Sequence, residues 1–266
     1  MADRVRPIAA LGQDARGAYP CAVERPDPVG QPFLTAEWRS LAMLNYEIDP
    51  AVIAPFVPKG TELDSWNGRT FVSVVGFLFL ETRIRGLRIP FHGRFEEVNL
   101  RLYVRRRAED GWRRAVVFVK ELVPRAAIAW VARTLYNENY CAVPMGHTFS
   151  EGGGVTYWWK SGSVRGALEL VARGEPAMVR EGTQEEFITE HYWGYAKQPD
   201  GGTLEYRVEH PRWMVRPADR AGLSCDVAKL YGAAFVEALS GPPASAFLAE
   251  GSPVSVYAGR RLRRDA

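Results

Sequence analysis

The polar side chains best suited to binding a small ligand alternate along one stretch of the sequence, Glu97 to Arg105. A strand in this stretch places two sets of residues on opposite faces. One face is apolar and belongs to the core: Val98, Leu100, Leu102 and Val104. The other face is polar: Glu97, Asn99, Arg101 and Tyr103. These four are ordinary solvated side chains if the face is outward, and a pocket for a carboxylate or carbonyl compound if it lines a barrel.

A second candidate lies where an apolar helix stops in a polar cluster, ARTLYNENYCAVPM at residues 132–145. The pattern predicts a helix that begins at Pro124 and runs to Tyr136. Asn137 or Asn139 then takes the left-handed conformation that ends it. Tyr140 becomes a candidate hydrogen-bond donor or general acid, with simple packing as the alternative.

The four histidines show no spacing typical of a metal site: His92, His147, His191 and His210. We therefore predict no metal and no other cofactor. His210 is a candidate ligand contact, because it follows an alternating strand and precedes Pro211 and Trp213, an aromatic bend. The glycine-rich EGGGV lacks the lysine and the strand-to-helix context of a phosphate loop. There is also no G-x-S-x-G nucleophile motif.

The elements that would position these residues are mainly strands. Two strands joined at Asp110 and Gly111 form the clearest hairpin, and TFVSVVGFLFL reads as a strand buried on both faces, with Gly76 marking a bend or bulge. Short helices are predicted after an Asp49 N-cap, around residues 185–189, and over residues 227–239; the final strand is predicted at residues 253–257. The predicted fold is mainly β (α+β): an antiparallel, cone-like β-barrel capped by short helices.

Length and composition fit one large domain, since 266 residues with 47% hydrophobic content can bury a full core. We predict a loosely ordered extension over 1–32, one barrel domain over 33–258 and a basic tail over 259–266. The formal net charge of +3 comes from scattered charges, so we expect no nucleic-acid partner. No apolar run is long enough for a membrane helix, so no membrane partner is expected either.

The three cysteines are widely spaced and odd in number, which is typical of the reducing cytoplasm: Cys21, Cys141 and Cys225. Cytoplasmic localisation is therefore expected. The sequence leaves open whether the chain forms a homo-oligomer.

Four motifs, taken in order, resemble one family: FLTAEWRSLAMLNYEIDPAVIAPFVPKGTELDSWNGRTFVSVVGF, EEVNLRLYV, FITEHYWGYA and HPRWMVRPA. They resemble the YqjF-like family, an uncharacterised bacterial family of the acetoacetate decarboxylase superfamily. The resemblance covers roughly residues 33–257. It implies a mainly β, cone-like barrel capped by helices, with the polar face of EVNLRLY turned inward.

The resemblance also implies that the decarboxylase nucleophile is missing. Where the decarboxylases place a catalytic lysine pair, this chain has Tyr140 and Cys141, which cannot form the iminium electron sink. Lys120 is the only lysine placed to substitute, and a surface strand-end lysine is the favoured interpretation. The resemblance further implies that the pocket arginine of the decarboxylases matches Arg39 and that one of their pocket glutamates matches Glu97.

These observations predict a protein that binds a small organic acid or carbonyl compound in a barrel pocket. The predicted ligand contacts are Arg39, Asn99, Arg101, Tyr103 and His210. The alternatives are a lyase or hydratase that uses Glu97 as base and Tyr140 as acid without covalent catalysis, and a scaffold protein whose barrel is filled.

Overall fold

A closed barrel of seven strands dominates the computed structural model, which describes residues 30–126, 137–162 and 164–262. Each strand pairs with the next in chain order, and the last pairs with both the first and its predecessor. Every pairing is antiparallel except that of the fourth strand with the fifth. The seven are β1 (Leu34–Glu47), β3 (Phe71–Ile84), β5 (Phe95–Ala108), β6 (Gly111–Val123), β12 (Trp193–Lys197), β13 (Thr203–Glu209) and β15 (Ser245–Val256).

Four further strands extend the sheet from β15 and form a second layer over the outside of the barrel. They are β8 (Met145–Ser150), β9 (Gly154–Ser161), β10 (Val164–Ala172) and β14 (Met214–Ser224). The first three residues of EGGGV, 151–153, form the turn between β8 and β9, and its last two begin β9. Short strands complete the sheet: β2 (Glu62–Leu63), β4 (Leu87–Arg88), β7 (Tyr140–Ala142), β11 (Ala177–Met178) and β16 (Arg260–Arg261).

The described helices are short and stand at the ends of strands. They are α1 (Pro50–Ile53), α2 (Gln184–Thr189), α3 (Val227–Tyr231) and α4 (Val236–Leu239), with 3-10 turns at Ala54–Phe56 and Ala233–Phe235. The Asp49 side chain accepts a hydrogen bond from Ala51 N at 2.8 Å, which confirms the predicted N-cap. Among the described residues there is no helix of the length and apolar character needed to cross a membrane.

The barrel fold predicted from the pattern is confirmed, and two details differ. The helix predicted over residues 227–239 is interrupted at Gly232, whose φ of 106° is not helical. The last strand is longer than predicted and covers Ser245–Val256. The helix predicted from Pro124 to Tyr136 falls largely outside the described residues.

Gly76 does not mark a bulge, because β3 pairs with β5 without a shift there. The irregularity lies in the neighbouring β1, near Ser40, whose φ is 55°. Gly76 is required for another reason: a Cβ atom at this position would lie 2.5 Å from Cδ2 of Tyr157 in the second layer. The ring of Tyr157 therefore packs directly on the β3 backbone.

Strand β5 faces two cores. Its apolar side chains join the core between the barrel and the second layer, which also contains Tyr157 and Trp159. Its polar side chains point into the barrel, where Glu97 and Asn99 are each 2% exposed and Arg101 is 8% exposed. These values exclude the solvated-face interpretation, and they agree with the inward orientation implied by the family resemblance.

Candidate functional site

The barrel interior contains a cavity of about 220 Å³. Five of the seven predicted catalytic and ligand-binding residues line it: Glu97, Asn99, Arg101, Tyr140 and His210. The rest of the wall is largely aromatic and aliphatic, and it includes Trp38, Phe77, Phe79, Phe95, Phe118 and Trp213. The cavity therefore joins a polar cluster to an apolar wall, as small-molecule sites commonly do.

A β-bulge in β6 brings a further acid into this cluster. Leu100 of β5 pairs with Lys120, but the next residue, Arg101, pairs with Phe118, so one residue of β6 is extra. The shift lets Phe118 and Glu121 both face the cavity, although strict alternation would separate them. Lys120 pairs with Leu100 on the opposite face of the sheet and is absent from the cavity wall.

The polar cluster after the predicted helix is the segment that closes this wall. Asn137 has a φ of 55°, which confirms the left-handed conformation expected at a helix end, and its Nδ2 donates to Lys197 O at 2.7 Å. Asn139 Nδ2 donates to Val119 O, in the β6 bulge, at 2.9 Å. With both asparagines directed outward, the alternate residues Glu138 and Tyr140 line the cavity.

Three buried carboxyl groups surround the Tyr140 side of the cavity. Glu97 accepts hydrogen bonds from Asn99 Nδ2 at 2.9 Å and from the Tyr140 hydroxyl at 3.1 Å. Glu138 accepts one from the Tyr206 hydroxyl at 3.1 Å. Glu121 is opposite Asn99 across the strand pair and beside Tyr140 in β7, and its Oε2 has no hydrogen-bond partner among the described residues.

Near pH 7, burial keeps Glu121 and Glu138 largely neutral and leaves Glu97 about half ionised. It raises the pKa of Glu97 to about 7, opposed by the hydrogen bonds from Asn99 and Tyr140 and by the nearby Arg101 charge. Burial also raises the pKa of Glu138 to about 8 and that of Glu121 well above its usual range, where the other two acids add to the effect. The pKa of Tyr140 is raised by burial as well, so its hydroxyl remains protonated. The negative charge of the three acids near pH 7 is thus confined mainly to Glu97.

Arg101 supplies positive charge at the same site. Its Nη2 donates to Ile188 O, at the end of α2, at 3.1 Å, and its Nε donates to the Tyr103 hydroxyl at 3.3 Å. No carboxylate of the described residues lies within ion-pair distance of its guanidinium group. A buried cation held only by neutral groups gains from an anionic ligand.

Tyr103, a predicted ligand contact, lies beneath the cavity and is not part of its wall. Its hydroxyl is 2.5 Å from Ser73 Oγ, which in turn donates to Asn45 Oδ1 at 2.6 Å. This buried chain of hydrogen bonds fixes the ring and hydroxyl that hold Arg101. Tyr103 therefore positions Arg101.

Two buried histidines also belong to the polar part of the wall, His191 and His210. His210 Nδ1 is 2.9 Å from Pro211 O, and its ring stacks on Trp213 with the centroids 4.2 Å apart, which confirms the aromatic bend. His191 packs on Tyr103 with the centroids 4.8 Å apart. Burial is the main cause that lowers the pKa of His210 and lowers that of His191 well below its usual range. Both imidazole rings are therefore neutral near pH 7.

Arg39 lies apart from this cluster. Its side chain is 37% exposed, forms an ion pair with Glu37 at 3.0 Å and donates to Gly251 O at 3.2 Å. It is not among the residues that line the cavity. Within the described residues, no group of three or more histidine, cysteine or acidic side chains has the arrangement of a metal site.

The polar residues of the wall that were not predicted from sequence include Glu121, Glu138, His191 and Tyr206. The one sequence signal for Glu138 is its place in the polar stretch beside Tyr140. His191 lies within the FITEHYWGYA motif. Glu121 is hidden by the bulge, which changes the parity of β6 and has no signature in the sequence.

The barrel and its cavity define a chain of the acetoacetate decarboxylase-like fold. The acetoacetate decarboxylase of Legionella pneumophila superimposes with a TM-score of 0.64 at 12% identity, over 93% of each chain. The enduracididine biosynthesis enzyme MppR in complex with pyruvate gives 0.65 at 12% identity, over 90% of this chain and 93% of that one. An acetoacetate decarboxylase-like enzyme from Sphingomonas wittichii RW1 gives 0.59 at 12% identity, over 88% and 94%. These likenesses show the fold alone.

The chain belongs to the DUF2071 family of uncharacterized conserved proteins, which it matches over residues 35–253. It is also 25% identical over 196 residues to the uncharacterized protein YqjF of Bacillus subtilis strain 168, covering 72% of this chain and 78% of that protein. The family predicted from the sequence motifs is thereby confirmed.

Proposed function

We propose that this protein binds a small organic acid or carbonyl compound inside the barrel, without a Schiff-base lysine. The observation that carries the proposal is the buried Arg101, which faces the cavity without a carboxylate partner among the described residues. Protonated Glu121 and Glu138 can donate hydrogen bonds to ligand oxygens, because a neutral carboxyl group has an O–H donor. A cavity of about 220 Å³ is below the size usual for drug-like ligands, which favours a small molecule.

The open volume favours this function over a scaffold with a filled barrel. Related structures support a small ligand, since MppR forms complexes with pyruvate and with the condensation product of pyruvate and imidazole 4-carboxaldehyde. At 12% identity these ligands serve only as compounds to test. Cytoplasmic localisation is part of the proposal and rests on the cysteine pattern of the sequence.

A thermal-shift screen against keto, hydroxy and aromatic acids and neutral carbonyl compounds tests the proposal. A bound ligand raises the melting temperature of the wild type, because it stabilises the folded state alone. The same ligand should leave Arg101→Gln unshifted. Arg39→Gln is the matched control and should respond as the wild type does. If no compound shifts the wild type, or if a hit acts equally on Arg101→Gln, the proposed site is wrong.

A second candidate is proton transfer at a bound carbonyl compound, favoured by the Glu97 and Tyr140 pair. With a pKa of about 7, roughly half of the Glu97 carboxyl groups are ionised near neutral pH and can accept a proton from carbon. The Tyr140 hydroxyl can donate to the carbonyl oxygen. Deuterium exchange tests this second candidate. A compound found in the screen is incubated with the protein in heavy water, and NMR follows deuterium at the carbon beside the carbonyl group. Exchange that disappears in Glu97→Gln, with binding retained, supports an enzyme; absence of exchange leaves binding alone.

A further inference from the structure

The polar and apolar groups of the cavity are separated along its length. Strand pairing fixes their order on the wall formed by β3 and β5: Phe79 is opposite Phe95, Phe77 opposite Glu97, and Ser73 opposite Arg101. The six steps from Phe95 to Arg101 span about 20 Å at the usual rise of a strand. Along this wall the aromatic pair therefore stands at one end and the guanidinium group at the other.

The Arg101 end is closed. Helix α2 covers it, because Ile188 O accepts the hydrogen bond from Arg101, and Phe187 packs on Tyr103 with ring centroids 5.3 Å apart. The helix is fixed by Thr183, whose side chain caps the backbone N–H of Glu186. A ligand group that reaches Arg101 is thus at the bottom of the cavity.

The other end reaches the surface through apolar residues. Ile84 and Ile89 line the cavity beyond the stacked rings of Phe79 and Phe95, whose centroids are 4.6 Å apart, and Ile89 is 38% exposed. Apolar surface continues outside on the same hairpin, where Phe91 is 88% exposed. Thr82 and His92 also line this end, whereas the hairpin arginines Arg83, Arg85, Arg88 and Arg94 lie outside the cavity wall. Inside the mouth the wall is therefore largely apolar until it reaches Glu97.

We infer that the ligand is a monocarboxylic acid with an elongated apolar body, bound with its carboxylate at Arg101 and its apolar end toward Ile89. The inference rests on the proposed function and names its ligand class. A compact, highly polar acid would leave the Phe79 and Phe95 walls uncovered, and a second carboxylate would lie against these rings without an arginine or lysine of the described cavity wall beside it. The single buried guanidinium group matches a single carboxylate.

Calorimetric titration of the full-length protein with two series of ligands tests the inference. One series is the unbranched monocarboxylates from propanoate to decanoate, and the other is the primary amides of the same carbon chains. Each added methylene should raise the affinity about fourfold until the chain reaches the mouth. Each acid should bind about tenfold to a hundredfold more tightly than its amide, because the carboxylate forms charge-assisted hydrogen bonds with Arg101.

Arg101→Gln should remove the preference for acid over amide and keep the dependence on chain length. Arg101→Lys, which retains the charge, should keep the preference at lower affinity. Arg165→Gln, an exposed arginine of β10, is the matched control and should leave both trends unchanged.

Amides that bind as tightly as acids would overturn the inference, and so would affinity that falls as the chain lengthens. If the screen for the proposed function finds a compact keto acid while neither series binds, the ligand class is wrong and the binding site stands. If neither the screen nor the two series gives any ligand, the proposed function itself fails.

Discussion

Replacing Glu97 with glutamine should change how the stability of the protein depends on pH. Folding raises the pKa of this carboxyl group from 4.5 to about 7, chiefly through burial. Because the folded-state pKa is the higher one, the stabilising contribution is fully present below pH 4.5 and is lost as the pH rises through 7. Above that range the buried carboxylate opposes folding.

The size of the effect follows from the shift. A rise from 4.5 to about 7 corresponds to about 3 kcal/mol at 1.36 kcal/mol per pKa unit, and roughly 2 to 3 kcal/mol of it develops between pH 5 and pH 8. Glutamine cannot ionise, so the free energy of unfolding of the wild type should fall by this amount relative to Glu97→Gln over that interval. Removing the Glu97 charge also relieves Glu121 and Glu138, whose pKa values it raises, so coupling acts in the same direction.

Urea unfolding followed by tryptophan fluorescence at several pH values measures this difference. Glu169→Gln removes a carboxyl group from the exposed face of β10 and controls for the loss of one negative charge. Its unfolding free energy should follow that of the wild type across the range. A constant difference between wild type and Glu97→Gln, or one in which the wild type gains stability toward pH 8, would show that burial does not neutralise this carboxyl group.

Two further substitutions test the surroundings of the site. Tyr140→Phe removes a hydrogen bond that lowers the pKa of Glu97, so the Glu97 pKa should rise further. NMR titration of labelled glutamate carboxyl carbons measures this pKa. An unchanged or lower value would contradict the hydrogen bond. Gly76→Ala should lower the free energy of unfolding in urea by about 1 to 3 kcal/mol, because the new methyl group meets the Tyr157 ring. Gly222→Ala places its methyl group in open space and is the control. Equal effects of the two substitutions would refute the close packing.

The sequence predicts the barrel because its strands alternate clearly and its turns have strong signals. Asp110 and Gly111 place one hairpin, and Asp49 with Pro50 places α1. The inward orientation of Glu97 was not decided by alternation, which assigns residues to faces and cannot tell which face is enclosed. It was implied by the family resemblance, and the closure of the sheet then accounts for it physically.

The parts of the site that escaped prediction depend on contacts between distant segments. Glu121 enters through a bulge in β6 whose displaced carbonyl group, that of Val119, is bound by Asn139 from the next segment. Neither half of this arrangement is recognisable alone. Arg39 is the opposite case, because sequence similarity matches it to a pocket arginine but its side chain lies outside the cavity wall. The β1 strand has a bulge near Ser40, and the Arg39 side chain forms an ion pair with Glu37.

The charge of the cavity depends on the identity of the residue at position 140. A phenol at position 140 donates a hydrogen bond to Glu97 without adding positive charge, so burial rather than pairing governs that carboxyl group and its pKa stays near 7. An amine at the same place would be a cation and would hold Glu97 ionised. With Tyr140 present, Glu121 and Glu138 remain neutral donors, and Arg101 dominates the local charge. Tyr140 therefore favours a cavity that attracts an anion.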